Sequence, residues 1–109
     1  MNPKPGEVWL ADLGLAAKAR PILIISRFDP DPPRAIVTYI PLTTQYRKSQ
    51  YEIELPHLPF LHQKSYANIQ GIASIPKVRL ERKLGSISEE SLKQVKKAVC
   101  FALDLPTLL

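Results

Sequence analysis

The sequence contains a single cysteine, Cys100, so it closes no disulfide within the chain and builds no zinc site from thiolates. That cysteine stands in an apolar stretch with helical spacing, where an inert buried thiol is expected. Glycine is scarce, at four among 109 residues, and forms no phosphate-cradling cluster. His-Glu-x-x-His and Gly-x-Ser-x-Gly are both missing, and the acids are scattered, which argues against a nucleotide-driven motor or a two-metal nuclease. No apolar run reaches the roughly 18 residues of a membrane span, and Met1-Asn2-Pro3-Lys4-Pro5 leads into no apolar signal core. These absences predict a cytoplasmic protein with no membrane segment, metal or cofactor.

What remains is ordinary globular material, 45% hydrophobic and 23% charged, of a length that predicts one domain over residues 1–109. Fifteen Lys and Arg against ten Asp and Glu leave a net charge of +5. That surplus mildly favours a polyanionic partner such as RNA, and it equally suits an acidic protein segment.

The apolar pattern is mainly that of short strands. Glu7 to Leu13 reads as a half-buried strand ended by Gly14, and Arg20 to Arg27 as a β-branched strand buried on both faces, with Pro21 near its start. Phe28 to Pro33 is a proline-rich loop. A strand from Ala35 to Ile40 is expected to break at Pro41, before Leu42-Thr43-Thr44, and Gln45 to Gln50 reads as an exposed basic loop. Tyr51 to Leu55 alternates with period two, the mark of a strand with one wet face. Pro56 to Lys64 is a loop holding both histidines. Tyr66 to Ile75 reads as one strand interrupted at Gly71, where a bulge or a close backbone approach is expected, and Pro76 stops it.

Ser88 is a good N-cap followed by Glu89 and Glu90, and Leu92, Val95, Val99, Ala102 and Leu103 recur at helical spacing. Ile87 and Leu92 suit a hydrophobic staple, with Pro106 limiting the helix near Leu105. Five or so strands before one amphipathic helix predict a mainly β, α+β domain: a curled antiparallel sheet or small SH3-like barrel with the helix packed on it.

RNA cleavage fits so spare a chemistry, because the 2′-hydroxyl is an internal nucleophile. The protein must help to deprotonate it, stabilise charge on the phosphorane and protonate the leaving 5′-oxygen. Arg20, beside Pro21 and near Lys18, offers a fixed fork of donors for phosphate oxygens. The residues alone equally allow a solvated arginine ahead of an edge proline, and Thr43 as a turn former at a strand end. Arg47 and Lys48 suit phosphates, with Tyr46 or Tyr51 stacking on a base, or else simply form a solvated loop. His57 and His62 offer imidazoles for acid–base work, and surface packing explains them as readily.

Several pieces, in order and spacing together, are similar to the MazF/PemK family of toxin endoribonucleases. They are Gly6-Glu7-Val8-Trp9 with Asp12-Leu13, Arg20-Pro21-Ile22-Leu23-Ile24-Ile25-Ser26, Pro41-Leu42-Thr43-Thr44-Gln45, Arg79-Leu80 and Leu84-Gly85-Ser86-Ile87-Ser88. The likeness runs from Pro5 to Leu105. It implies that Arg20 stabilises the phosphorane and shuttles a proton, and that the Thr43 hydroxyl bonds a phosphate oxygen. Lys18, Thr44, Gln45, Arg47, Lys48 and Gln70 are then the expected RNA contacts. It further implies a homodimer, a metal-independent cut of single-stranded RNA leaving a 2′,3′-cyclic phosphate and a 5′-hydroxyl, and inhibition by a cognate antitoxin.

Two stretches depart from the family pattern. Gly14-Leu15-Ala16-Ala17-Lys18-Ala19 is short and apolar where the family's loop is longer and richer in Gly and Ser. Gln70-Gly71-Ile72-Ala73 replaces an acid-Gln-Ile-Arg stretch, so Ala73 stands where members carry a further arginine and more weight falls on Arg20. A binding module without catalysis, or a toxin directed at DNA gyrase, are the alternative readings.

Overall fold

The structure is a computed structural model describing residues 2–14 and 18–107. Seven strands and one helix follow in the order β1 (Glu7–Asp12), β2 (Ala19–Ile24), β3 (Ile36–Thr43), β4 (Glu52–Glu54), β5 (Tyr66–Asn68), β6 (Ala73–Pro76), β7 (Leu80–Ser86) and α1 (Glu89–Ala102). All pairings are antiparallel, in the order β4-β5-β3-β2-β1-β7, and β6 pairs with the first half of β3. Among the described residues the two end strands do not meet, so the sheet is curled and not closed.

Strand β2 is the centre of this arrangement. Ile22, Leu23 and Ile24 are all fully buried, as their uninterrupted β-branched and aliphatic run predicts. Leu23 points with Val8, Ile40, Ala67 and Ile69 into a core that α1 closes with Val95 and Ala98. Ile22 and Ile24 point the other way, with Trp9, Ala11, Val37, Tyr39, Ile75 and Leu80, into a second core on the face away from the helix. One strand therefore serves two cores through its period of two.

The helix begins as expected. The Ser88 hydroxyl accepts the Ser91 N–H at 3.1 Å, Glu89 and Glu90 occupy the first turn, and Ile87 and Leu92 stand at the staple positions. It ends at Ala102, short of Leu105. The Leu105 N–H returns to the Cys100 carbonyl at 2.8 Å and the Asp104 N–H to that of Phe101 at 3.3 Å, with Asp104 left-handed at φ 56°. Cys100 is half-buried and unpaired, rather than sealed in the core.

Two expectations are corrected. Strand β3 does not break at Pro41 but continues to Thr43. The missing proline donor is tolerated because the strand on that side is itself interrupted there: β6 leaves β3 at Tyr39, β5 joins it at Leu42, and a 3-10 turn, Ile69–Gly71, fills the gap. The number of strands is the second: seven rather than five or so are present among the described residues, β7 among those not foreseen. The Glu81-Arg82-Lys83 run of β7 hides the strand pattern, and it pairs with β1 through two register shifts.

Gly71 provides the close approach expected of it. A Cβ there would stand 2.5 Å from Pro41 Cγ and 3.1 Å from Asn68 Nδ2. Gly71→Ala is therefore expected to destabilise the protein by about 1–3 kcal/mol in urea unfolding, because Pro41 sits mid-strand and has no rotamer to retreat into. An unchanged midpoint would contradict this contact.

Glu7 ties the start of β1 to β7. Its Oε1 accepts the Lys4 and Trp9 N–H groups, each at 3.0 Å, and Oε2 lies 3.1 Å from Lys83 Nζ. Partial burial pushes this carboxyl upward, but the hydrogen bonds from Lys4, Trp9 and Lys83 and the lysine charge outweigh it and hold it below 4.5. A depressed carboxyl contributes stability that is present above its unfolded value and lost as pH falls through its folded one. Glu7→Gln is thus expected to unfold at lower urea than wild type at pH 7, with the gap closing at pH 3; a pH-independent gap would contradict it.

Candidate active site

Alternation along the strands decides which side chains meet. Arg20 shares the face of Ile22 and Ile24, and Thr43 that of Tyr39 and Pro41, so both lie at the rim of the core on the face away from the helix. Strands β2 and β3 pair Ile22 with Pro41, Leu23 with Ile40 and Ile24 with Tyr39. The β2–β3 pairing ends at Ile22 and Pro41, and Arg20 and Thr43 each lie two residues beyond that last pair, within their own strands and on the same face.

The same face continues across β5 and β4. Thr43 pairs with Tyr66, and Asn68 with Glu52, while Leu42, Ala67 and Ile53 turn toward the helix. A cavity of about 440 Å³ opens here. Thr43, Gln45, Arg47, Ser49, Tyr51, Glu52, Asn68, Gln70 and Gly71 line it. Gln70 and Gly71 reach it because the 3-10 turn lies over Pro41.

The loop after β3 is exposed yet fastened at both ends. Thr43 Oγ1 accepts the Gln45 N–H at 3.1 Å, which leaves the hydroxyl proton free to donate. Glu52 Oε1 accepts the Arg47 N–H at 2.9 Å and both the N–H and the hydroxyl of Ser49 at 3.3 Å. Lys48, between them, takes the left-handed backbone at φ 56°. On β4, Glu54 is ion-paired with Lys64 and holds that ammonium above its usual value through their hydrogen bond and opposite charges.

Of the expected residues, Thr43, Gln45, Arg47 and Gln70 line the cavity, while Arg20, exposed on β2, does not. Thr44 and Lys48 do not line it; Lys18 is exposed just ahead of β2, and Leu15 to Ala17, in the middle of the departing loop, lie outside the described residues. His57 and His62 are exposed and line no part of it. Ala73 is exposed opposite Tyr39, four residues from Thr43 along β3, or about 13 Å. Sequence reasoning missed Ser49, Glu52, Asn68 and Tyr66. The polar positions of the alternating Tyr51–Leu55 strand were the available signal for Glu52, and no local signal marked the others. Among the described residues, no three of His, Cys, Asp and Glu come together as a metal site, and no helix is long and apolar enough to cross a membrane.

Comparison with known proteins agrees with this fold. An endoribonuclease from a Mycobacterial species, solved in complex with its cognate antitoxin, superimposes with a TM-score of 0.83 at 28% identity, covering 96% of this chain and 98% of its own. The Mycobacterium tuberculosis toxin MazF-mt6 gives 0.81 at 29% identity, over 93% of this chain and 99% of its own. A chain of the MazE-MazF crystal structure from Deinococcus radiodurans gives 0.80 at 20% identity, over 97% and 99%, a likeness of fold. No curated protein sequence matches significantly. The profile of one family matches residues 4–103, nearly the whole length, and with it the chain belongs to the PemK-like, MazF-like toxins of type II toxin-antitoxin systems.

Proposed function

We propose that the whole chain, residues 1–109, is a sequence-selective, metal-independent endoribonuclease that acts in the cytoplasm on single-stranded RNA. The observation that carries this reading is the β2–β3 pairing, beyond whose last pair, Ile22 with Pro41, Arg20 and Thr43 each stand two residues along on the same face, with Thr43 in the wall of a polar cavity. The likeness to the Mycobacterial endoribonucleases supports it.

In the reaction the 2′-oxygen attacks phosphorus, the P–O5′ bond breaks, and the 2′-hydroxyl proton leaves while the 5′-oxygen gains one. The products are a 2′,3′-cyclic phosphate and a 5′-hydroxyl. The Arg20 guanidinium stabilises charge on the phosphorane oxygens and passes a proton, and the Thr43 hydroxyl donates to one of those oxygens. Lys18, Arg47 and Lys48 attract the flanking phosphates. Sequence selectivity comes from the cavity, where the Gln45, Asn68 and Gln70 amides and the Glu52 carboxylate suit the donor and acceptor edge of a base better than a phosphate. Two copies form the active toxin, and a cognate antitoxin with an acidic segment neutralises it by covering the basic site, in keeping with the antitoxin-bound structure of the Mycobacterial endoribonuclease.

Ala73 favours a second reading, in which the site binds RNA without cutting it, because the arginine found there in other members is absent. Incubating the protein with mixed cellular RNA in EDTA separates the two. Wild type is expected to cut at a recurrent short sequence, leaving cyclic-phosphate and 5′-hydroxyl ends. Arg20→Ala is expected to lose about 100-fold or more in rate, the scale of removing one donor to a transition-state oxyanion. Tight binding with no product would establish the second reading, and equal cleavage by Arg20→Ala would overturn the role of that residue.

A further inference from the structure

The loop after β3 is bounded by two tyrosines, and their surroundings differ. Tyr51 turns toward the helix, its ring 5.4 Å from Phe101 at a 51° tilt, and its carbonyl accepts the Ile69 N–H at 2.8 Å. Tyr46 instead lies parallel to Tyr66, with centroids 4.4 Å apart and 4° between planes. Tyr66 is the β5 partner of Thr43. The stack therefore rises from the residue beside the proposed catalytic threonine, and Tyr46, at its outer end, is 41% exposed.

We propose that the Tyr46 ring is a stacking platform for one nucleobase of the RNA strand, next to the phosphate held by Arg20 and Thr43, with Tyr66 beneath as the positioning residue. This rests on the endoribonuclease reading above. A flat ring already stacked on one face extends to a third ring on the other, and such stacking takes any base, so the platform supplies affinity while the cavity supplies selectivity.

Two further features favour a nucleotide as the occupant. Arg47 and Lys48 follow Tyr46 directly, so cations for the backbone phosphates adjoin the ring. Glu54, opposite Tyr66, would repel a phosphate, and the Lys64 ammonium offsets its charge. The platform is also preorganised. The Gln45–Thr43 hydrogen bond lies on one side of Tyr46 and the Arg47–Glu52 bond on the other. Binding therefore orders less of the chain than a free loop would require.

The test uses a short RNA carrying the mapped cleavage sequence, together with analogues that have one abasic nucleotide at each position in turn. Tyr46→Leu is expected to raise KM about tenfold, the scale of one base–aromatic stack, and Tyr46→Phe to restore the wild-type KM because it keeps the ring. One abasic position should raise KM in wild type by the same factor and add nothing in Tyr46→Leu. Unchanged KM in Tyr46→Leu, or effects that multiply at every abasic position, would overturn the platform while leaving the endoribonuclease reading intact. A wild-type protein that cuts no RNA would overturn both.

Discussion

Ile22, Leu23 and Ile24 are buried completely because β2 has a paired strand on each edge and a core on each face. A one-residue slip against β3 would exchange the contents of the two cores, putting Leu23 where Ile22 and Ile24 belong. The register is thus held by packing far from any chemistry, and the site inherits its precision. Arg20 and Thr43 share a face because each stands two residues beyond Ile22 and Pro41, which pair.

A second constraint shapes the cavity. Pro41 gives no donor to the sheet, and the neighbouring strand yields at that point into the turn Ile69–Gly71. Gly71 fits against the Pro41 ring only for want of a side chain. The interruption turns Gln70 and Gly71 toward Thr43, so the proline that pattern alone reads as a strand break works as a bend in the site's wall. Arg20, Thr43, Tyr66, Asn68 and Glu52 then share one sheet face, with the ring of Tyr46 stacked on that of Tyr66.

Elements with a clear local signal were legible in the sequence: β2 in its β-branched run, β4 in the alternation at Tyr51–Leu55, and α1 in the Ser88 cap. The edge strand β7 was not, since its Glu81-Arg82-Lys83 run serves an exposed edge, where charge guards against pairing with another chain, and so conceals the strand pattern. Arg20 was visible only as a cation before a proline, and its likeness to a known family, rather than its spacing, singled it out. Glu52, Asn68 and Tyr66 stayed hidden for a different reason. Each joins the site through cross-strand pairing with residues well removed in sequence, and such pairing leaves no mark on a local window.

The proposed reaction requires Arg20 and Thr43 to act together on one phosphate. A double-mutant cycle in kcat/KM with Arg20→Lys and Thr43→Val measures this directly. The double variant is expected to lose little more than the worse single variant, because groups that serve one transition state fail as a unit. Losses that multiply independently would contradict it, placing the two residues at separate tasks despite their shared face.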